Sequence, residues 1–163
     1  MMLIRAASKF LDTVGRVLTQ VFVGIMAIIV TLQVVWRYFL KSPIFWAEEL
    51  ARYSLVWMTF VGAAVALRAG QLASIEILVE KLSPPVRRWM RVLVLFLNVV
   101  LLIFLFYYSV VLVGLPSVVN QRSPAMRVPM VLPYLALPVG LGLTLLQGIF
   151  QLLIAILEKE SRE

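Results

Sequence analysis

Residues 17–36 run for 20 positions without a charged side chain. At 1.5 Å per helical residue that is about 30 Å, the thickness of a bilayer's hydrocarbon core. In lipid the backbone N–H and C=O groups have to be satisfied within the segment, so such a run is helical. Uncharged runs also cover residues 92–121 and 128–157, and a further one continues from Tyr53 to Leu67 behind Glu48, Glu49 and Arg52. Gly114 and Pro116 are expected to stop the third helix near Val113, and Pro129 and Pro133 to delay the fourth until about Tyr134. At 63% hydrophobic content, a soluble fold of 163 residues would leave much apolar surface in water. The expectation is an all-α integral membrane protein, a single membrane domain over 1–163 with spans at about 17–36, 46–67, 92–113 and 134–157. The first run exceeds the 7–15 residues of a signal-peptide core and no small-x-small cleavage site follows it, so it is expected to be retained.

Ser42-Pro43 has the form of an N-cap followed by proline at the first helical position, opening the second span. Residues 68–91 are too polar to cross lipid, yet Leu72, Ile75, Leu78, Val79 and Leu82 fall on one helical face, with Glu76, Glu80 and Lys81 on or near the other. That pattern predicts a short interfacial amphipathic helix at about 72–82, between the second and third spans, ending at Ser83-Pro84-Pro85. Ten Lys and Arg residues lie on the side of the N-terminus, the 68–91 connection and the C-terminus, against five on the other. Positively charged connections stay inside, so both termini are expected to be cytoplasmic. Trp36, Trp46 and Trp89 fall at the expected interfaces, where amphipathic rings settle.

With no cysteine and no histidine, the chain lacks thiolate nucleophiles, disulfides, haem and zinc ligands and the usual general base. Catalytic residues, metal ligands, cofactors and a substrate pocket are not expected. The net charge of +7 comes from basic residues scattered at the ends of apolar runs, which argues against nucleic acid. The densest polar cluster is Trp46, Glu48, Glu49, Arg52 and Tyr53, with Arg37 and Lys41 upstream. Helical spacing lets either carboxylate reach Arg52. The cluster reads as a surface ion pair, as a site that docks a partner subunit, or as a cation or proton site in a small self-associating exporter using Glu48 and Glu49. Its place in the first turns, away from mid-membrane, weakens the last reading. Within the spans, Thr31, Gln33, Thr59, Asn98, Thr144, Gln147 and Gln151 are of the kind that joins membrane helices, and Gly62-Ala63-Ala64 and Gly140-x-Gly142 suit close helix contact.

Arg37-Tyr38, Ser42-Pro43, Trp46, Glu48-Glu49, Arg52, Trp57 and Gly62, taken together, resemble the signature of the small membrane subunit of TRAP transporters, the tripartite ATP-independent periplasmic class. Arg68-x-Gly70 with Ile75-Glu76 is similar to the family's Gly-x-His-Ile-x-Val-Asp stretch. Ser123-Pro124-Ala125, Pro129 and Tyr134-x-Ala136-Leu137-Pro138-x-Gly140 resemble the approach to its last helix. The likeness covers about residues 16–157. Leu72 stands where the family often has histidine, Ala73 replaces isoleucine and Glu76 replaces aspartate. The resemblance implies a non-catalytic subunit in the bacterial inner membrane, bound to a large permease that carries small carboxylate solutes with a sodium gradient. A periplasmic solute-binding protein would deliver the solute. The small subunit would then be scaffold, with Arg37, Trp46, Glu48, Glu49, Arg52 and Tyr53 as docking candidates and the substrate and sodium sites in the large subunit.

Overall fold

The computed structural model describes residues 2–42, 44–69 and 84–157. Among them the chain forms α1 (Met2–Phe39), α2 (Phe45–Arg68), α3 (Pro84–Val113), two single-turn helices α4 (Pro116–Val119) and α5 (Val131–Tyr134), and α6 (Ala136–Leu157). Four segments are long and apolar enough to cross a membrane: Arg5–Phe39, Phe45–Arg68, Trp89–Val113 and Val131–Leu157. The expected interfacial residues Leu72, Ile75, Leu78, Val79 and Leu82 lie outside the described residues.

The helix boundaries depart from the apolar runs for identifiable reasons. α1 begins at Met2 rather than near Val17, because its polar first part is held by local bonds such as Arg16 to Asp12 at 3.0 Å and Thr13 to the Lys9 carbonyl at 3.0 Å. Apolarity marks only the part of a helix that meets lipid. α3 likewise starts at Pro84, since proline in a first turn has no bond to lose. Ser42 does not cap α2. The chain turns at Lys41, with φ 49°, and α2 opens at Phe45 after an extended Ile44 with no side-chain cap. The Ala47 N–H reaches the Ile44 carbonyl at 3.2 Å. In the fourth segment Leu135 separates α5 from α6, and Pro138 falls in the first turn of α6, where a missing N–H is tolerated.

α2 packs along α1 on one side and α6 on the other, and α3 packs on α6, so the extensive contacts run in the order α1, α2, α6, α3. Small residues make this possible. A Cβ on Gly140 would lie 2.5 Å from the Phe60 carbonyl carbon, which means the α6 backbone rests directly on that of α2. Val61 and Ala136 are fully buried beside this crossing. Between α1 and α2, Phe22 and Trp57 stack with ring centroids 5.5 Å apart. The large apolar side chains point outward instead: Leu93, Phe96, Leu97, Val100, Phe104, Tyr107 and Tyr108 of α3 are all exposed. A small-residue interior under an apolar exterior is the packing expected where lipid, not water, surrounds the helices.

The polar residues within the helices divide by reach. Thr31, Thr59 and Thr144 donate to carbonyls four residues back in their own helices. The longer amides cross between elements: Gln147 donates to the Ser8 carbonyl at 3.5 Å and Gln151 to the Arg68 carbonyl at 3.3 Å.

Candidate functional site

Glu48 and Glu49 are neighbours in sequence and opposite in environment. Helical geometry turns adjacent residues about 100° apart, which leaves Glu48 exposed and places Glu49 among buried groups at 8% exposure. Glu48 Oε1 accepts from Arg52 Nη2 at 2.9 Å, with both side chains more than two-thirds exposed. Arg52 is thus bonded to the first carboxylate, while Glu49 turns elsewhere. Exposed pairs of this kind contribute about 0–1 kcal/mol. Glu48→Gln is therefore expected to shift unfolding stability by less than about 1 kcal/mol in a thermal melt.

Glu49 reaches across the chain. Its Oε2 accepts the backbone N–H groups of Ala125 at 3.1 Å and Met126 at 2.8 Å. Its Oε1 accepts the Tyr53 hydroxyl at 2.5 Å, and the same hydroxyl lies 3.2 Å from Met130 Sδ. Two successive N–H groups aimed at one oxygen form an anion-holding concavity, and charge-assisted bonds of this type are stronger than neutral ones.

The segment so held is a compact hairpin. The Ser123 N–H donates to the Val128 carbonyl at 2.9 Å, the Arg127 N–H to the Ser123 carbonyl at 3.1 Å, and the Met130 N–H to the Gln121 carbonyl at 3.0 Å. Arg122 and Pro129 face one another as an antiparallel bridge. Buried Ser123 accepts from the Val128 N–H at 3.3 Å through its hydroxyl. Of the sequence-derived candidates, Glu49 and Tyr53 meet on this hairpin, whereas Arg37 near the end of α1 and Trp46, Glu48 and Arg52 in the first turns of α2 are exposed.

A second polar cluster, at the opposite end of the helices, escaped the sequence reading. Asp12 Oδ2 accepts from Arg68 Nη1 at 2.7 Å and from Arg16 Nε at 3.0 Å, joining α1 to the end of α2. Asp12 Oδ1 and Gln147 Oε1 are buried without a partner, and both residues border one small gap with Leu11, Ala64 and Leu143. The available signal was that Asp12 is the chain's one aspartate, set among Arg5, Lys9 and Arg16. Removing one partner of a buried pair costs about 3–5 kcal/mol. Because Arg68 keeps 27% exposure, Asp12→Ala is expected to cost somewhat less, about 2–3 kcal/mol, measured by thermal unfolding in detergent.

The sequence model of the tripartite ATP-independent periplasmic transporters' DctQ component matches residues 26–158. The chain is 32% identical over 132 residues to the isethionate TRAP transporter permease protein DctMQ of Oleidesulfovibrio alaskensis, covering 74% of this chain and 20% of that protein. It is 35% identical over 82 residues to a putative TRAP transporter small permease protein of Haemophilus influenzae, covering 50% of this chain and 51% of the relative. With the C4-dicarboxylate TRAP transporter small permease protein DctQ of Rhodobacter capsulatus it shares 34% over 103 residues, 60% of this chain and 43% of that one. In each case the match spans less than two thirds of the relative's own length. Most of the chain, including α2, the hairpin and α6, falls within the family match, and among the described residues four helical segments are long and apolar enough to cross a membrane. The chain therefore belongs to the DctQ component family of tripartite ATP-independent periplasmic transporters, as a multi-pass bacterial membrane protein.

Proposed function

We propose that the chain is the small permease subunit of a sodium-coupled, binding-protein-dependent importer, and that it serves as scaffold for the large permease subunit. The family match over residues 26–158 carries this reading. The packing supports it: the helices meet through small residues, and the exposed apolar faces of α1 and α3 offer surface to a membrane partner or to lipid. The solute is proposed to be a small organic carboxylate, in keeping with the relative named for C4-dicarboxylate, while the relative named for isethionate extends the class to a small organic sulfonate. In this reading the protein lies in the inner membrane, and the distribution of Lys and Arg supports an orientation with both termini in the cytoplasm. The Glu49 hairpin then faces the periplasm and the Asp12 cluster the cytoplasm.

Exposed Trp46, Arg52 and Arg37 are the proposed contacts to the large permease, with Glu48 positioning Arg52. Glu49 and Tyr53 act behind them by fixing the start of α2. Arg52→Ala is expected to lower recovery of the complex more than Lys41→Ala. Equal recovery would remove Arg52 from the interface. The exporter alternative needs a carboxylate open to a cavity, whereas both Glu49 oxygens are bonded within the chain. The test is uptake into proteoliposomes. Transport is expected only when this chain, the large permease encoded beside it, the solute-binding protein and an inward sodium gradient are all present. Transport by this chain alone, lost when Glu48→Gln and Glu49→Gln are combined, would favour the exporter.

A further inference from the structure

α1 and α6 flank α2 on opposite sides, and side chains join them at the end away from the hairpin. Gln147 Nε2 donates to the Ser8 carbonyl at 3.5 Å, which leaves the amide oxygen over. Asp12 gives its Oδ2 to both Arg16 and Arg68, which leaves Oδ1 over. Among the described residues these two oxygens are the buried side-chain atoms without a protein partner, and Gln147 is only 1% exposed. Both residues border one small gap, walled otherwise by Leu11, Ala64 and Leu143, whose side chains carry no donor. The two oxygens cannot satisfy each other, since a carboxylate and an amide oxygen only accept. Turning the amide would bring its NH₂ into the gap but set its oxygen against the Ser8 carbonyl, exchanging one unmet acceptor for a repulsive contact.

We propose that this gap is a binding site for a single water molecule, whose two O–H groups donate to Asp12 Oδ1 and Gln147 Oε1 and so bridge α1 to α6. A buried acceptor left unmet carries the full cost of its lost hydration, and the ligand that relieves both here has to be small, bring two donors and add no charge. Buried waters take about two to four such bonds. A metal cation suits the site less. Hard cations such as magnesium and calcium gather about six oxygens or more, and the guanidinium groups of Arg16 and Arg68 already balance the carboxylate. The bridge completes a joint among three helices: Asp12 ties α1 to the end of α2 through Arg68, Gln151 ties α6 to the Arg68 carbonyl, and the water closes the third side. The site belongs to this chain alone, so it stands or falls apart from the subunit reading.

Two measurements test it, and the first needs no variant. Crystals of the full chain grown in a lipid mesophase, diffracting well enough to show ordered water, are expected to carry one density peak within hydrogen-bond distance of both oxygens. The absence of that peak overturns the site. Crystals soaked in rubidium chloride separate water from a monovalent cation: an anomalous signal in the gap would assign it to a cation and overturn the water. The second measurement is a thermal melt of Asp12→Asn, Gln147→Met and the double variant in one detergent. Two residues that share one ligand lose it once, so the double variant is expected to melt within about 2 °C of the worse single variant. Methionine keeps the length of the glutamine side chain without its acceptor, which limits the change in packing. A double variant whose shift equals the sum of the two single shifts would show that Asp12 and Gln147 share nothing, and would overturn the bridge.

Discussion

Gly140→Leu is expected to abolish recovery of folded, monodisperse protein, and Gly140→Ala to destabilise it by about 2–3 kcal/mol. The cause is the α2–α6 crossing. A Cβ at position 140 would sit 2.5 Å from the carbonyl carbon and Cβ of Phe60 and 2.6 Å from its oxygen. The obstacle is mostly backbone, which no rotamer change can move, so the helices must separate along a contact that also buries Val61 and Ala64. Gly24 supplies the control, since nothing lies within 4 Å of the Cβ it would gain. There alanine is expected to be neutral or to stabilise by about 0.5–1 kcal/mol through helix propensity. Thermal unfolding of the two alanine variants in the same detergent checks the contrast, and equal melting temperatures would refute the close crossing.

The second large effect is expected at Glu49. Glu49→Ala strands the Ala125 and Met126 N–H groups and the Tyr53 hydroxyl, and bonds to a charged acceptor are worth about 1.5–3 kcal/mol each before any compensation by water. The loss is expected at about 3 kcal/mol, together with faster amide exchange confined to the hairpin and the start of α2. Glu49→Gln is expected to be milder. Its amide oxygen can stay on the two N–H groups while the NH₂ donates to the Tyr53 oxygen, so the geometry survives and only the charge is lost. Hydrogen exchange across residues 121–130 separates the cases. Equal protection in the wild type and Glu49→Ala would show that the hairpin holds itself.

The four spans were legible because bilayer thickness sets run length and every interior charge is costly, so residues 17–36 or 134–157 announce themselves. The polar flanks were not, because a helix outside the hydrocarbon core needs only local bonds such as Arg16 to Asp12. That is why α1 extends beyond the uncharged run and Asp12 carries no hydropathy signal. Gly140-x-Gly142 was singled out as a small-residue surface, yet the two glycines differ. Gly140 rests on the Phe60 backbone, while Gly142 meets only the edge of the Phe106 ring at 3.2 Å. The residue types around Glu49 were visible as a polar cluster, but its partners were not. Backbone N–H groups 76 and 77 positions further on leave no mark in a sequence, so local i, i+3 and i, i+4 spacing suggested Arg52 instead. Ser42 failed as a cap for a related reason, since the turn at Lys41 decides where α2 can open.

Whether the chain works as a subunit is tested most directly by expressing it, tagged, with the large permease encoded beside it and extracting both in mild detergent. The account predicts that the two elute together at a fixed stoichiometry that survives re-chromatography. Elution of this chain by itself as a homo-oligomer, with the large permease present and folded, would contradict it.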